Sequence, residues 1–70
     1  AALFAGADGL DDYRVIVPQL PDLLAPQGIA LIEIGWTQGA AVTALAQAQG
    51  LSAHVHPDLG GRDRVVEITR

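Results

Sequence analysis

The chain has 70 residues, a net charge of −4 and no cysteine, which leaves room for one domain at most and excludes a disulfide framework and thiolate metal sites. With four arginines and no lysine, it lacks the clustered positive charge that nucleic acid or an anionic membrane surface requires. No apolar run approaches the roughly 18–20 residues that span a bilayer. Half of the residues are apolar, but twelve of these are alanine and three are aromatic, so nine Leu, six Val and five Ile must supply the core. A domain this short buries only about 60% of the surface its unfolded chain exposes. The opening Ala1-Ala2-Leu3-Phe4-Ala5-Gly6 has neither the basic region nor the apolar stretch of a signal peptide. A cytoplasmic α/β unit is expected, and the absence of an initiating Met favours a piece of a larger protein over a self-standing module.

Residues 8–25 have apolar side chains at Leu10, Tyr13, Ile16, Val17, Leu20 and Leu24, the three-and-four spacing of one helix face. Asp8 is a plausible N-cap, with Asp11 and Asp12 in the first turn, where the helix dipole favours them. Pro18 and Pro21 each lack an amide N–H, so the helix should break near Pro18 and resume as a short helix ending before Pro26. Ala25-Pro26-Gln27-Gly28 is turn chemistry. The run Ile29–Ile34 then reads as a strand apolar on both faces, as in a parallel sheet covered by helices, interrupted by Glu33 near its carboxyl end. Thr37 is the expected cap of a helix to Gln49, buried through Ala41, Val42, Leu45, Ala46 and Ala48, with Gly50 as its left-handed terminator. Ala53–His56 and Arg64–Thr69 are strand candidates joined by a loop longer than two residues. The expected order is helix, strand, helix, strand, strand.

Three stretches invite a chemical reading. His54-Val55-His56-Pro57-Asp58 has the H-x-H-x-D spacing of a metallohydrolase site, and alternation places both histidines on one face of a strand. The third histidine of that motif is replaced by Leu59, so a solvated strand face is expected and no metal ligand is assigned. Leu31-Ile32-Glu33-Ile34-Gly35-Trp36-Thr37-Gln38-Gly39 imitates the first motif of methyltransferases that use S-adenosylmethionine, an apolar strand and an acidic residue followed by a glycine loop before a helix. There the glycines let backbone approach the ligand, yet Thr37 occupies the middle glycine position, and the stretch reads better as a strand–turn–helix junction. Asp58–Arg64 is either an anion- or substrate-contacting loop, or a flexible hairpin whose Arg62 and Arg64 pair with nearby carboxylates. Trp36 either lines a pocket or caps the core, and Tyr13 reads as core with a wet tip.

Several fragments fall in one order. Asp8-Gly9-Leu10, Tyr13-Arg14, Gly28, Glu33-Ile34-Gly35, Gln38-Gly39, Asp58-Leu59 and Gly61-Arg62-Asp63-Arg64-Val65-Val66 together resemble the carboxyl-terminal part of the HemK/PrmC family, the release factor glutamine methyltransferases. The resemblance covers essentially all 70 residues. Phe4-Ala5-Gly6, Trp36 and Pro21 depart from the family pattern. The family's glycine-rich cofactor loop and its N-P-P-Y catalytic motif do not occur in these 70 residues.

The resemblance implies that residues 1–70 form one partial domain, the carboxyl-terminal portion of a Rossmann-like class I methyltransferase sheet. Glu33-Ile34-Gly35 would end its fifth strand, and the final strand of a terminal antiparallel hairpin would insert between the fifth and sixth. The parent would be an enzyme that methylates the Gln of a Gly-Gly-Gln motif in peptide chain release factors, in translation termination, with S-adenosylmethionine as cofactor. The resemblance carries no catalytic, cofactor-binding or metal-binding residue onto this sequence. Glu33, Gly35, Trp36 and Arg62 are expected as site-wall or structural-motif residues. The segment alone is expected to be inactive and to self-associate. The alternative is a small non-catalytic interaction module whose contact surface is the 58–63 loop.

Overall fold

The computed structural model describes residues 9–70. Helix α1, Asp11–Ile16, runs into one turn of 3-10 helix, Val17–Gln19, and then into α2, Leu20–Leu23. The break falls where Pro18 removes a backbone donor, as the sequence suggests. Asp8 lies outside the described residues. Leu10 occupies the N-cap position of α1, with no side-chain cap. Leu10, Val17, Leu20 and Leu24 are buried and Tyr13 is half-buried, but Ile16 is exposed, a departure from the expected face. Ile16 precedes the 3-10 turn and lies at the outer margin of the stripe that Leu10, Tyr13, Val17, Leu20 and Leu24 define at α-helical spacing.

Strand β1, Ala30–Glu33, precedes helix α3, Gly39–Ala48, and then come β2, Ser52–Pro57, and β3, Asp63–Thr69. The sheet order is β1-β3-β2, with β3 antiparallel to both neighbours. The final strand thus lies between the other two, the placement the resemblance implies for these elements. Ala30 and Ala53 both face Ile68, and Ile32 and Val55 both face Val66. These rows form the inner face. Helix α3 packs on β2, β3 and the 3-10 turn, and Val17, Val42, Val66 and Ile68 are fully buried there.

The opposite face corrects an expectation. Ile29 and Leu31 are 58% and 69% exposed, so β1 is covered on one face by the described residues, not on both. Alternation along the strand sends these side chains away from α3. A second correction concerns α3. Its first residue is Gly39 and its N-cap position is Gln38, so Thr37 does not cap it, and Ala48 is exposed. Its other end is as expected. Gly50 has φ +78°, its N–H donates to the Gln47 carbonyl, and the Leu51 N–H donates to the Ala46 carbonyl. These two bonds make a Schellman motif, and Leu51 turns into the core.

Candidate functional site

Because β1 and β2 both run antiparallel to β3, their carboxyl ends lie together at its start. Glu33 and His56 both face Val65, and Pro57 faces Asp63. In open α/β sheets the carboxyl ends of strands are where ligands bind. The residues singled out from the sequence gather at this edge. Glu33 ends β1, Gly35 and Trp36 follow it, and Arg62 immediately precedes β3.

Local interactions build the edge. The Tyr13 hydroxyl donates to the Glu33 carbonyl at 2.8 Å, which holds the end of β1 against α1. Burial, aided by the negative charges of Asp12 and Glu33, raises the pKa of this phenol. The Gln38 side chain folds back so that its Oε1 accepts from the Gly35 N–H at 2.8 Å, while its Nε2 donates to the Gly9 carbonyl at 3.3 Å. One amide thereby closes the turn and ties it to the segment before α1. The Ile34 N–H donates to the Arg64 carbonyl, extending the β1–β3 ladder past Glu33.

Charge at the edge is mixed. Arg64 Nη2 lies 3.9 Å from Glu33 Oε2, both exposed, a pair that contributes about 0–1 kcal/mol. Arg62 lies over the indole of Trp36, 5.6 Å from the ring centroid. The expected carboxylate pairing therefore holds for Arg64, whereas Arg62 takes an aromatic partner. Trp36 is 63% exposed, so it does not cap the core. The 58–62 loop is closed by Asp58, whose Oδ1 accepts from the N–H groups of Gly60 and Arg62 at 2.8 and 3.1 Å. The Asp58 N–H donates in turn to the Arg62 carbonyl at 2.8 Å. The loop is thus a turn closed by its own hydrogen bonds.

The turn from Gly35 to Gly39 does not fit S-adenosylmethionine. A cofactor loop needs open space above its glycines, and here the chain fills it. A Cβ on Gly35 would lie 3.3 Å from Gln38 Oε1, and one on Gly39 would lie 2.7 Å from Asp63 Oδ2. The glycines make room for the protein's own side chains. His54 and His56 share the exposed face, with ring centroids 4.9 Å apart, and His56 Nε2 lies 2.8 Å from Glu67 Oε1. Among the described residues no group of three or more His, Cys, Asp or Glu could hold a metal ion, and no helix is long and apolar enough to cross a membrane.

Sequence reasoning did not find the role of Gln38. Its spacing of three from Gly35 was the available signal, since a side chain at that distance reaches back to a backbone N–H, as in a capping box. The Tyr13–Glu33 and Arg62–Trp36 contacts are long-range and leave no local pattern.

The chain is 53% identical over 66 residues to the release factor glutamine methyltransferase of Cereibacter sphaeroides, and 50% identical over 66 residues to that of Pseudomonas aeruginosa. Each match covers 93% of this chain. The chain is related to the release factor glutamine methyltransferases. A third relative, from Rhodospirillum rubrum, matches over 70 residues at 44% identity. The chain spans 22–24% of the length of these methyltransferase relatives. Neither a protein-family model nor a solved structure matches the chain.

Proposed function

We propose that these 70 residues are the carboxyl-terminal part of the catalytic domain of a protein-glutamine N-methyltransferase. Its substrate is the Gln of the Gly-Gly-Gln motif of a peptide chain release factor, and its methyl donor is S-adenosylmethionine. The observation that carries this reading is the 50–53% identity to release factor glutamine methyltransferases across 93% of the chain. In this reading β1, β3 and β2 form one end of a larger Rossmann-like sheet, and the protein acts in the cytoplasm.

A side-chain amide nitrogen is a weak nucleophile because its lone pair is delocalised into the carbonyl. Orienting it is therefore a large part of the catalytic task. The chain contributes to that task as a wall. Tyr13 and Gln38 fix the end of β1 and the turn after it, which holds Glu33, Gly35 and Trp36 in place at the carboxyl edge. Glu33 is neither acid nor base here. Its carboxylate is exposed and lies near Arg64, so it acts on its neighbours. The cofactor site and the reacting groups belong to the rest of the enzyme.

The test is methyl transfer from labelled S-adenosylmethionine to a purified release factor. The full-length polypeptide that carries this segment is expected to label the factor, and the 70-residue chain alone is expected neither to label it nor to bind the donor. Saturable micromolar donor binding by the 70 residues, or a full-length protein that leaves the release factor unlabelled, would overturn the reading.

A further inference from the structure

The helical segment at residues 11–24 is fastened by side-chain bonds at both ends of the sheet. At the carboxyl edge the Tyr13 hydroxyl donates to the Glu33 carbonyl. At the opposite end Arg70, which follows β3, reaches the last turn of α2. Its Nε donates to the Leu24 carbonyl at 2.9 Å, and its Nη2 donates to the carbonyls of Leu24 and Pro21. Carbonyls in the last turn of a helix lack partners within it, and a guanidinium supplies N–H donors in a fixed fork. Between the two fastenings lies the break at Pro18. A 3-10 stretch inside a helix often marks a hinge, yet this one is bridged. Gln19 Nε2 donates to the Val15 carbonyl at 3.0 Å, and Val17 and Leu20, on either side of Pro18, are both buried in the core.

We propose that residues 11–24 form one conformational strap, latched by Arg70 at one end of the sheet and by Tyr13 at the other, which opens as a unit separate from α3 and the sheet. Helices α1 and α2 have six and four residues, and isolated helices below about 12–15 residues are marginal in water. Their order therefore depends on the two latches and on the burial of Leu10, Val17, Leu20 and Leu24. Proteins open locally in contiguous cooperative units. A segment held by long-range bonds at both ends and bridged at its middle meets that description. The consequence is a coupling along the strap. Loss of the Arg70 latch frees the segment that carries Tyr13, so the hold on the Glu33 carbonyl depends on a residue at the far end of the sheet. The inference concerns the opening of the chain itself and is independent of the substrate assigned above.

The experiment is amide hydrogen exchange of the full-length polypeptide, read by mass spectrometry in peptides from residues 10–24, 39–48 and 52–57. Wild type is compared with Arg70→Ala, Arg70→Lys and Tyr13→Phe. For Arg70→Ala the expected result is exchange about tenfold faster or more throughout residues 10–24, the effect of losing hydrogen bonds from a charged donor. Peptides from α3 and β2 should keep their wild-type rates. Tyr13→Phe should accelerate the same 10–24 peptides to a smaller degree. Arg70→Lys keeps the charge without the fork and should fall between wild type and Arg70→Ala. Faster exchange confined to residues 20–24 would make Pro18 a hinge and overturn the strap. Equal acceleration of α3 and β2 would make the opening global, and unchanged exchange would mean that Arg70 latches nothing. Either result contradicts the inference, as does a wild-type segment that already exchanges at the unprotected rate.

Discussion

The hydroxyl of Tyr13 donates to the main-chain carbonyl of Glu33 across 2.8 Å. This one bond joins the first helix to the last residue of β1, at the edge where Trp36, Arg62 and Arg64 meet. Tyr13→Phe removes the bond and keeps the ring, and should cost about 0.5–1.5 kcal/mol in denaturant unfolding. The pH dependence has a definite sign. The folded-state pKa of the phenol is raised above the ordinary tyrosine value of about 10, chiefly by burial. Its contribution is therefore fully present below the unfolded-state pKa and is lost as pH rises through the folded-state value. Wild-type stability should show this loss above about pH 10, and Tyr13→Phe should lack it.

Gly39, the first residue of α3, packs against Asp63 at the start of β3. An added Cβ would lie 2.7 Å from Asp63 Oδ2 and 3.5 Å from Val55 Cγ1. Gly39→Ala should destabilise by about 1–3 kcal/mol through overpacking. Combining it with Asp63→Ala should restore part of that loss. Equal destabilisation in the single and double variants would show that the carboxylate is not the obstacle.

Gln38 can be dissected by charge. Gln38→Ala deletes both the acceptor for the Gly35 N–H and the donor to the Gly9 carbonyl, and should cost about 1–3 kcal/mol. Gln38→Glu keeps the acceptor and loses the donor, so its melting temperature should fall between those of wild type and Gln38→Ala.

The local parts of this fold were legible in the sequence. Pro18 placed the helix break, Gly50 placed the end of α3, and the run from Ile29 to Ile34 placed β1. What failed depended on partners that sequence neighbours do not reveal. Thr37 looks like a cap because threonine at a loop–helix boundary often is one, but α3 starts at Gly39 and Gln38 occupies its N-cap position. Ile29 and Leu31 looked buried because apolar strands usually are, yet their side of the sheet is uncovered by the described residues. At the carboxyl edge the sequence shows that Gly35 and Trp36 follow the strand ending at Glu33, but not that Arg62 lies over the Trp36 indole. Trp36 and Arg62 are far apart in sequence and meet only because β3 returns alongside β1.

Self-association is the expected outcome for the 70-residue chain, because part of β1 is uncovered among the described residues. This strand is an edge strand among the described residues, and its apolar run carries one charge and no proline. Such an edge offers unpaired N–H and C=O groups to another chain. Sedimentation of the 70-residue chain at tens of micromolar should show dimers or larger species, with a symmetric dimer the favoured form. A cooperatively folded monomer at that concentration would contradict this expectation.

The exposed histidines allow a test by metal addition. If His54 and His56 are solvated strand residues, zinc should leave the melting temperature unchanged. A metal bound at a hundred times its dissociation constant would add about 2.7 kcal/mol, a shift of about ten degrees or more for a domain of this size.

The central claim is that this segment belongs to an enzyme acting on one glutamine side chain. Peptide mass mapping of a release factor treated with the full-length enzyme and S-adenosylmethionine tests it most directly. The predicted result is one added methyl group, localised by fragmentation to the side-chain amide of the Gln in the Gly-Gly-Gln motif. A methyl group on any other residue, or an unmodified Gly-Gly-Gln peptide after complete reaction with the donor, would contradict the account.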